Sequence, residues 1–492
     1  MKRLLLTLIS WLTLFSVSAQ EFRYSYEGET LPYVIIDEEA KTVKVGKSSE
    51  SVSGSLIIPS SVVYDETAYT VVAIDDDALR NHNELISIEI PATVTSIGKY
   101  AFLGCDHLVK AEFASVAQMC RMEFANEYSN PMINAHTLYI DGREVKELVI
   151  PDSVTSIGSD AFNGCRGLIS IEIPSSVTSI GRYAFKGCQS LIEITMPNSL
   201  SVVEDGIFYG CLGLSSIKLP DKLSSIGRDM FYGCKSLVSI DIPSSVTSIG
   251  NDAFYYCTGL TSVDIPSSVT SIGGSAFEGC RGLTSIILPE TLTSVSAETF
   301  KACSGLISVV LPDSLVSIGR RAFEGCKQLG SVIMPDNVRY IGEKAFMSCE
   351  KLENITLPLN LEVIREGAFK NCQAIRNIKY RGLSPASLEC AEDIFDENVY
   401  DEATLYVRSG TIPLFMAVAP WKLFLNISDT LSDSEITGIN DAAEDNTIEI
   451  DSLTSVEIYN LNGTKLTCPV ENIPSGFYII SKGNRLKKVF IK

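Results

Sequence analysis

Prolines stand at positions 151, 174, 197, 220, 243, 266, 289, 312, 335 and 358, each 23 residues after the one before. A period this strict marks a stacked repeat. A 23-residue coil cannot bury a core alone, so each must set its apolar residues against the same positions in the coils on either side. Counted from each Pro as zero, Val or Leu falls at +3, Ile or Val at +6, Phe at +11, Cys at +14, Leu at +17, and Ile or a similar residue at +20 and +22. Residues 174–196, for example, read PSSVTSIGRYAFKGCQSLIEITM. The Phe column runs unbroken from Phe162 to Phe369 and supplies the bulky filler.

The end of each unit alternates like a short strand, as in LTSVDI, where Val263 and Ile265 face inward and Ser262 and Asp264 outward. These strands are expected to stack as a parallel sheet. Pro then makes the turn, VTSIG supplies a second extended piece, and AFxGC, too short to hold a helix by propensity, is expected as a single helical turn. The fold class that follows is a repeat solenoid, a β-rich leucine-rich repeat of 23-residue units built from short parallel strands and single helical turns. Thirteen such coils are expected over residues 68–380, with an irregular, enlarged unit at 114–150. Open ends need covers, which points to a β-rich N-terminal cap at 21–67 and a C-terminal cap at 381–427 holding Trp421 and Phe424. Residues 428–447 are polar and acidic, as a linker is, and 448–492 read as a small β-module.

The unit LxSIxIPxSVTSIGxxAFxGC resembles the BspA-type leucine-rich repeat of bacterial surface antigens, and CRMEFANEYSNPMINAHTLYIDG in the enlarged unit resembles a recurring insertion of that family. The resemblance covers roughly residues 56–427 and implies adhesion, including binding to host matrix and plasma proteins. VEIYNLNGTKL (456–466), IPSGFYII (473–480) and KKVFIK are similar to a type A C-terminal sorting domain of the type IX secretion system.

Residues 1–20 carry the pattern of a secretory signal: Lys2 and Arg3, an apolar stretch, then Val17-Ser18-Ala19 as a cleavage site. No Cys follows that site to take a lipid, and no later run is apolar enough to span a bilayer, so an exported chain without a transmembrane segment is expected. With 60 acidic against 40 basic residues the formal charge is -20, which excludes nucleic acid and anionic lipid as natural partners.

Residues able to do chemistry are few. The three histidines, His82, His107 and His136, have no metal-ligand or triad spacing. No GxSxG, P-loop or GxGxxG occurs, so no catalytic residue, cofactor or metal is expected. Ten of the 14 cysteines, Cys165 to Cys372, hold one position of successive coils. Neighbouring strands lie about 4.8 Å apart, beyond the Cβ separation a disulfide prefers, so a ladder of reduced, buried thiols is expected. Asp75, Asp76 and Asp77 read as a solvated turn, with Asp75 in the place of the usual Gly. The basic end, including Lys487, Lys488 and Lys492, reads as a charged strand edge.

Binding residues are sought on the outward positions of the strand, +19 and +21. The first column is mostly Ser, a flat hydrogen-bonding floor; the second runs through Asp241 and Asp264 and then turns apolar at Ile287, Val310 and Ile333. Contiguous exposed apolar area marks interaction sites, so a protein partner is placed on these five residues. The rival is the insertion at 121–142, where Tyr128, His136 and Tyr139 could take a glycan. The leading expectation is an adhesin-like surface or secreted protein that recognises extracellular or host-matrix proteins. Glycan capture for nutrition and a purely structural spacer are the alternatives.

Overall fold

A computed structural model describes residues 20–200 and 203–431. Of the tail it describes only the backbone of four strands, Thr447–Ile448, Glu457–Tyr459, Gly476–Lys482 and Arg485–Ile491. Residues 1–19 of the expected signal segment at 1–20, most of the expected linker, Cys468 and the rest of the segment likened to a sorting domain lie outside the described residues. The fold is a parallel β-solenoid of about 16 turns with a spacing of about 23 residues and little helix. That is more turns than the Pro, Phe and Cys code marks, because coils at both ends keep the strand ladders without the code.

Contacts divide the chain into two compact units. Among the described residues, the first comprises 20–118, 122–135 and 139–142; the second comprises 119–121, 136–138 and the residues described from 143 on. In the first unit, Glu21–Tyr26, Glu29–Asp37 and Thr42–Val45 form an antiparallel meander. Its last strand turns parallel by pairing with Thr67–Ile74, which pairs onward with Ser96–Ile97. A second ladder stacks Gly54–Ile57, Leu85–Ile90 and Lys110–Phe113 in parallel. The hairpin that joins Ser61–Tyr64 to Thr67–Ile74 turns at Asp65 and Glu66, both left-handed.

The second unit repeats two ladders at a step of 23. One passes through Ser170–Glu172, Glu193–Thr195 and Ser216–Lys218, and later through Ser331–Ile333, Asn354–Leu357 and Asn377–Tyr380. It continues beyond Tyr380 through Thr404–Arg408 and Asn426–Leu431. Residues 381–427 therefore carry further turns of the solenoid, around a buried Trp421. The other ladder is shorter, two residues per turn, as in Ser225–Ile226, Ser248–Ile249 and Ser271–Ile272. In the tail, Gly476–Lys482 lies between Glu457–Tyr459 and Arg485–Ile491, antiparallel to both.

The AFxGC stretch is not a helical turn. Its amides alternate between two destinations. Ala184, Lys186 and Cys188 donate within their own coil to Gly181, Tyr183 and Phe185, while Tyr183, Phe185 and Gly187 donate to Asp205, Ile207 and Tyr209 of the next. The alternation requires left-handed residues, supplied by Tyr183 (φ 57) at +9 and Gly187 (φ 71) at +13. Half of the backbone bonding in this stretch thus binds coil to coil, which an α-helical ladder would not do.

Inside, the Phe column forms a continuous stack. Rings from Phe162 to Phe369 sit with centroids 5.1 to 6.0 Å apart and nearly parallel. Each ring is buried, worth about 1.5–3 kcal/mol by area, and the ring pairs add about 0.5–1.5 kcal/mol. The Ser of the PSSV turn also has a structural task. Ser245 and Ser268 each place their hydroxyl 2.7 Å from the carbonyl of Leu223 and Val246 in the coil before, so the donor satisfies an otherwise unpaired acceptor.

Candidate functional site

The strand face is built by the ladder that carries positions +19 to +21. Ile287 pairs directly with Val310, placing two of the expected apolar residues side by side. Ile333 belongs to the same column and is 67% exposed, whereas Ile287 and Val310 are half-buried. Asp241 and Asp264 face each other across an isolated parallel bridge. The carboxyl of Asp264 is held above the usual carboxylate range, first by partial loss of water and then by the charge of Asp241. Further along, Ser170, Glu172, Glu193 and Thr195 line a shallow depression on the same ladder. The face accordingly changes from acidic to apolar along its length.

Position +18 is also outward. Ile192 and Val238 are each 50% exposed, and Ile307 is 55% exposed. The alternation of a strand would turn +18 inward, but Leu fills +17 and Ile or Val fills +20, so the chain bends between two buried residues. Ile307 directly precedes the strand Ser308–Val310 and donates its amide to Thr284 of the preceding coil. The apolar area around Val310 is thereby larger than the +21 column alone provides.

In the insertion, the rings of Tyr128 and Tyr139 each have a neighbour of their own. Tyr128 stacks on Tyr100 with centroids 6.0 Å apart, and the guanidinium of Arg80 stands over Tyr100. Tyr139 lies beneath the ammonium of Lys110, 4.6 Å from its ring centre. His136 adopts a left-handed backbone, φ 60, in the second compact unit. The other two histidines are held by backbone: His82 and His107 each place Nδ1 near a carbonyl, of Arg80 and Asn83.

The cysteine ladder is buried and its thiols are free, Cys105 and Cys120 included. Burial pushes Cys211 up to about 12 and raises Cys188 and Cys234 well above the ordinary thiol value, so these thiols are inert rather than nucleophilic. The acidic turn is paired with cations: Asp75 with Lys44 at 2.7 Å and Asp77 with Arg80 at 2.9 Å. Among the described residues no helix is long and apolar enough to cross a membrane.

A second surface feature lies on the turn side. Tyr209, Tyr232 and Tyr255 occupy position +12 of three successive coils and stack with centroids 4.3 and 4.6 Å apart. The sequence carries this signal as FYG, FYG and FYY at the same register, legible once +12 is seen to point outward.

Comparison with known proteins gives a consistent result. The family described as BspA type Leucine rich repeat region matches in 6 copies over residues 72–139, 132–261 and 247–376. A leucine-rich repeat protein from Bacteroides ovatus is 30% identical, over 72% of this chain and 94% of that one, with a TM-score of 0.54. The pneumococcal vaccine antigen PcpA is similar in fold at 19% identity, covering 82% of this chain and 98% of its own, with a TM-score of 0.51. No curated protein matches the chain.

Proposed function

This chain belongs to the BspA-type leucine-rich repeat family, and from that premise we propose that it is an exported, adhesin-like binding protein that holds a protein partner on its strand face. The observation that carries the reading is the apolar ribbon: Ile287 paired with Val310, and Ile333 exposed beside a polar floor of Ser. An outward apolar strip with an acidic flank suits a partner that offers an apolar patch with a cationic rim, as extracellular and host-matrix proteins do. Leucine-rich repeat proteins in general bind proteins, which supports the same class of partner.

A non-catalytic role is supported by how the reactive groups are used: the thiols are buried and the turn carboxylates are ion-paired. Export is supported by the signal pattern at 1–20, and display at the outer surface by the likeness of the tail to a type IX sorting domain. Glycan capture by the insertion is the second reading, with Tyr128 stacked on Tyr100 and Tyr139 beneath the ammonium of Lys110.

The test is binding of the purified chain to arrays of extracellular-matrix proteins, with an Ile287→Ser, Val310→Ser, Ile333→Ser variant alongside. A partner whose affinity falls at least tenfold in the variant, at unchanged melting temperature, is the expected result. Equal affinity removes the strand-face site.

A further inference from the structure

The tyrosine ladder is not required by the core. The Phe stack already fills the interior beneath it, yet Tyr209, Tyr232 and Tyr255 remain half-buried with nearly parallel rings, 5° and 15° between planes. Two more tyrosines extend the strip. Tyr183 meets Tyr209 edge-on at 6.2 Å, and Tyr256 packs against Tyr255 at 4.7 Å. Stacking covers the ring faces with one another, so what the strip offers to solvent is ring edges and phenol groups, repeated at the 4.3 and 4.6 Å steps of the stack. The Tyr232 hydroxyl is near enough to hydrogen-bond Tyr209, and burial first, with that neighbour second, raises Tyr209 to about 12. The Tyr209 hydroxyl is therefore a neutral donor and acceptor at any physiological pH.

The cation positions over the rings are taken by the protein itself. The Lys186 ammonium lies 5.1 Å from the centre of Tyr183 and 5.2 Å from that of Tyr209, and Arg281 stands over Tyr256. A cationic ligand would have to displace them. Around the strip, Arg182 pairs with Asp205 at 3.0 Å and Arg228 with Asp229 at 3.4 Å, leaving charge near balance. With the chain at -20 overall, a polyanion gains nothing there. Beyond Tyr255 the strip stops, since position +12 becomes Glu278, which Lys301 holds at 3.0 Å.

We propose that the strip from Tyr183 to Tyr256 is a second binding surface, separate from the strand face, that takes a neutral glycan chain. Sugar hydroxyls would bond to the phenol row and to the carboxylates and guanidinium groups on its margins. The regular step of the coils lets successive residues of a linear polysaccharide meet equivalent groups, while rigid stacking keeps the ordering cost low. Many weak, repeated contacts give useful affinity to a chain while a single sugar binds poorly.

The experiment is affinity electrophoresis of the full chain through gels containing neutral polysaccharides (mannan, xylan and β-glucan), with heparin as the anionic control. Wild type is compared with Tyr209→Phe, Tyr232→Phe, Tyr255→Phe and with the strand-face Ser variant. The Phe variant keeps ring stacking and so the fold, checked by its melting temperature, and removes only the hydroxyl row. The expected result is retardation by a neutral polysaccharide that weakens at least tenfold in the Phe variant and persists in the strand-face variant. That last arm separates this proposal from the protein-binding reading, since either can fail alone. Retardation equal in wild type and Phe variant, retardation by heparin only, or none in any gel would each overturn it and leave the ladder as a packing device.

Discussion

The thiol of Cys257 donates to the carbonyl oxygen of Phe231, 3.1 Å away in the preceding coil. The bond recurs with the same spacing from Cys188 to Phe162 as far as Cys372 to Phe346. Each of these Phe carbonyls also accepts the amide of the Cys three residues later in its own coil, as Phe231 does from Cys234. Sulfur is thus used twice over. It fills space as a small hydrophobe and closes the second acceptor site of a buried carbonyl, which Ala could not do.

Nine thiols of the buried ladder, Cys165 to Cys349, are pushed above the ordinary thiol value of 9.0, chiefly by burial. The unfolded chain releases these protons near pH 9 while the folded chain keeps them. Their stabilising contribution is complete below that pH and is lost as pH rises, at about 1.4 kcal/mol per unit for each thiol. A steep fall in melting temperature between pH 9 and 11 is expected, with no labelling of the folded chain by a thiol reagent at pH 8. A melting temperature flat to pH 11 would refute the account.

The repeat was legible because its residues are dictated by stacking: Phe at +11, Cys at +14 and Leu at +17 can only be satisfied by copies of themselves. The turn geometry was not, since alternate amides bonding to the next coil leave no trace in hydrophobic pattern. Nor was the outward bend at Ile192 and Ile307, which breaks strand alternation. The coils around Trp421 were hidden for another reason: they keep the strand ladder, and Phe395 even continues the ring stack 5.4 Å from Phe369, but the 23-residue spacing that marks the code is lost. At the candidate site the sequence located Ile333 but could not tell that Ile287 and Val310 are partly covered.

Glycine in VTSIG is demanded by close approach of neighbouring coils. A Cβ on Gly273 would meet the backbone N of Asn251 at 2.5 Å and the carbonyl carbon of Gly250 at 2.7 Å, whereas on Gly227 nothing comes closer than 3.2 Å. Gly273→Ala should force the coils apart and cost about 3 kcal/mol or more, and Gly227→Ala under about 1 kcal/mol. Denaturant titration of both variants decides it, and equal losses would count against coil spacing as the cause.

Phe254 stacks against Phe231 on one side and Phe277 on the other, at 5.3 and 5.1 Å. Phe254→Ala should cost about 3–5 kcal/mol, through lost burial and the cavity left behind. Because coils in a solenoid contact only their neighbours, the loss should be local. Hydrogen exchange is expected to quicken most in the adjacent coils and least near Phe369. Uniform loss of protection over residues 143–431 would contradict this.

Asp264 occupies the strand face beside the like charge of Asp241, with part of its water lost. Because desolvation and the neighbouring charge raise Asp264, its folded form holds the proton more tightly than the unfolded form. Such a group contributes stability below the unfolded carboxyl value, and the contribution is lost as pH rises through the folded one, so at neutral pH the Asp264 carboxylate is a liability. Asp264→Asn should then raise the melting temperature at pH 7 by a small amount, limited by solvent screening, with the gain shrinking toward pH 4. If the pair is retained to attract a cationic partner, the same variant should bind that partner more weakly and lose part of the salt dependence of the association rate. A variant that is less stable at pH 7 would show that the two carboxylates do not repel, and would remove the electrostatic reason for placing a partner there.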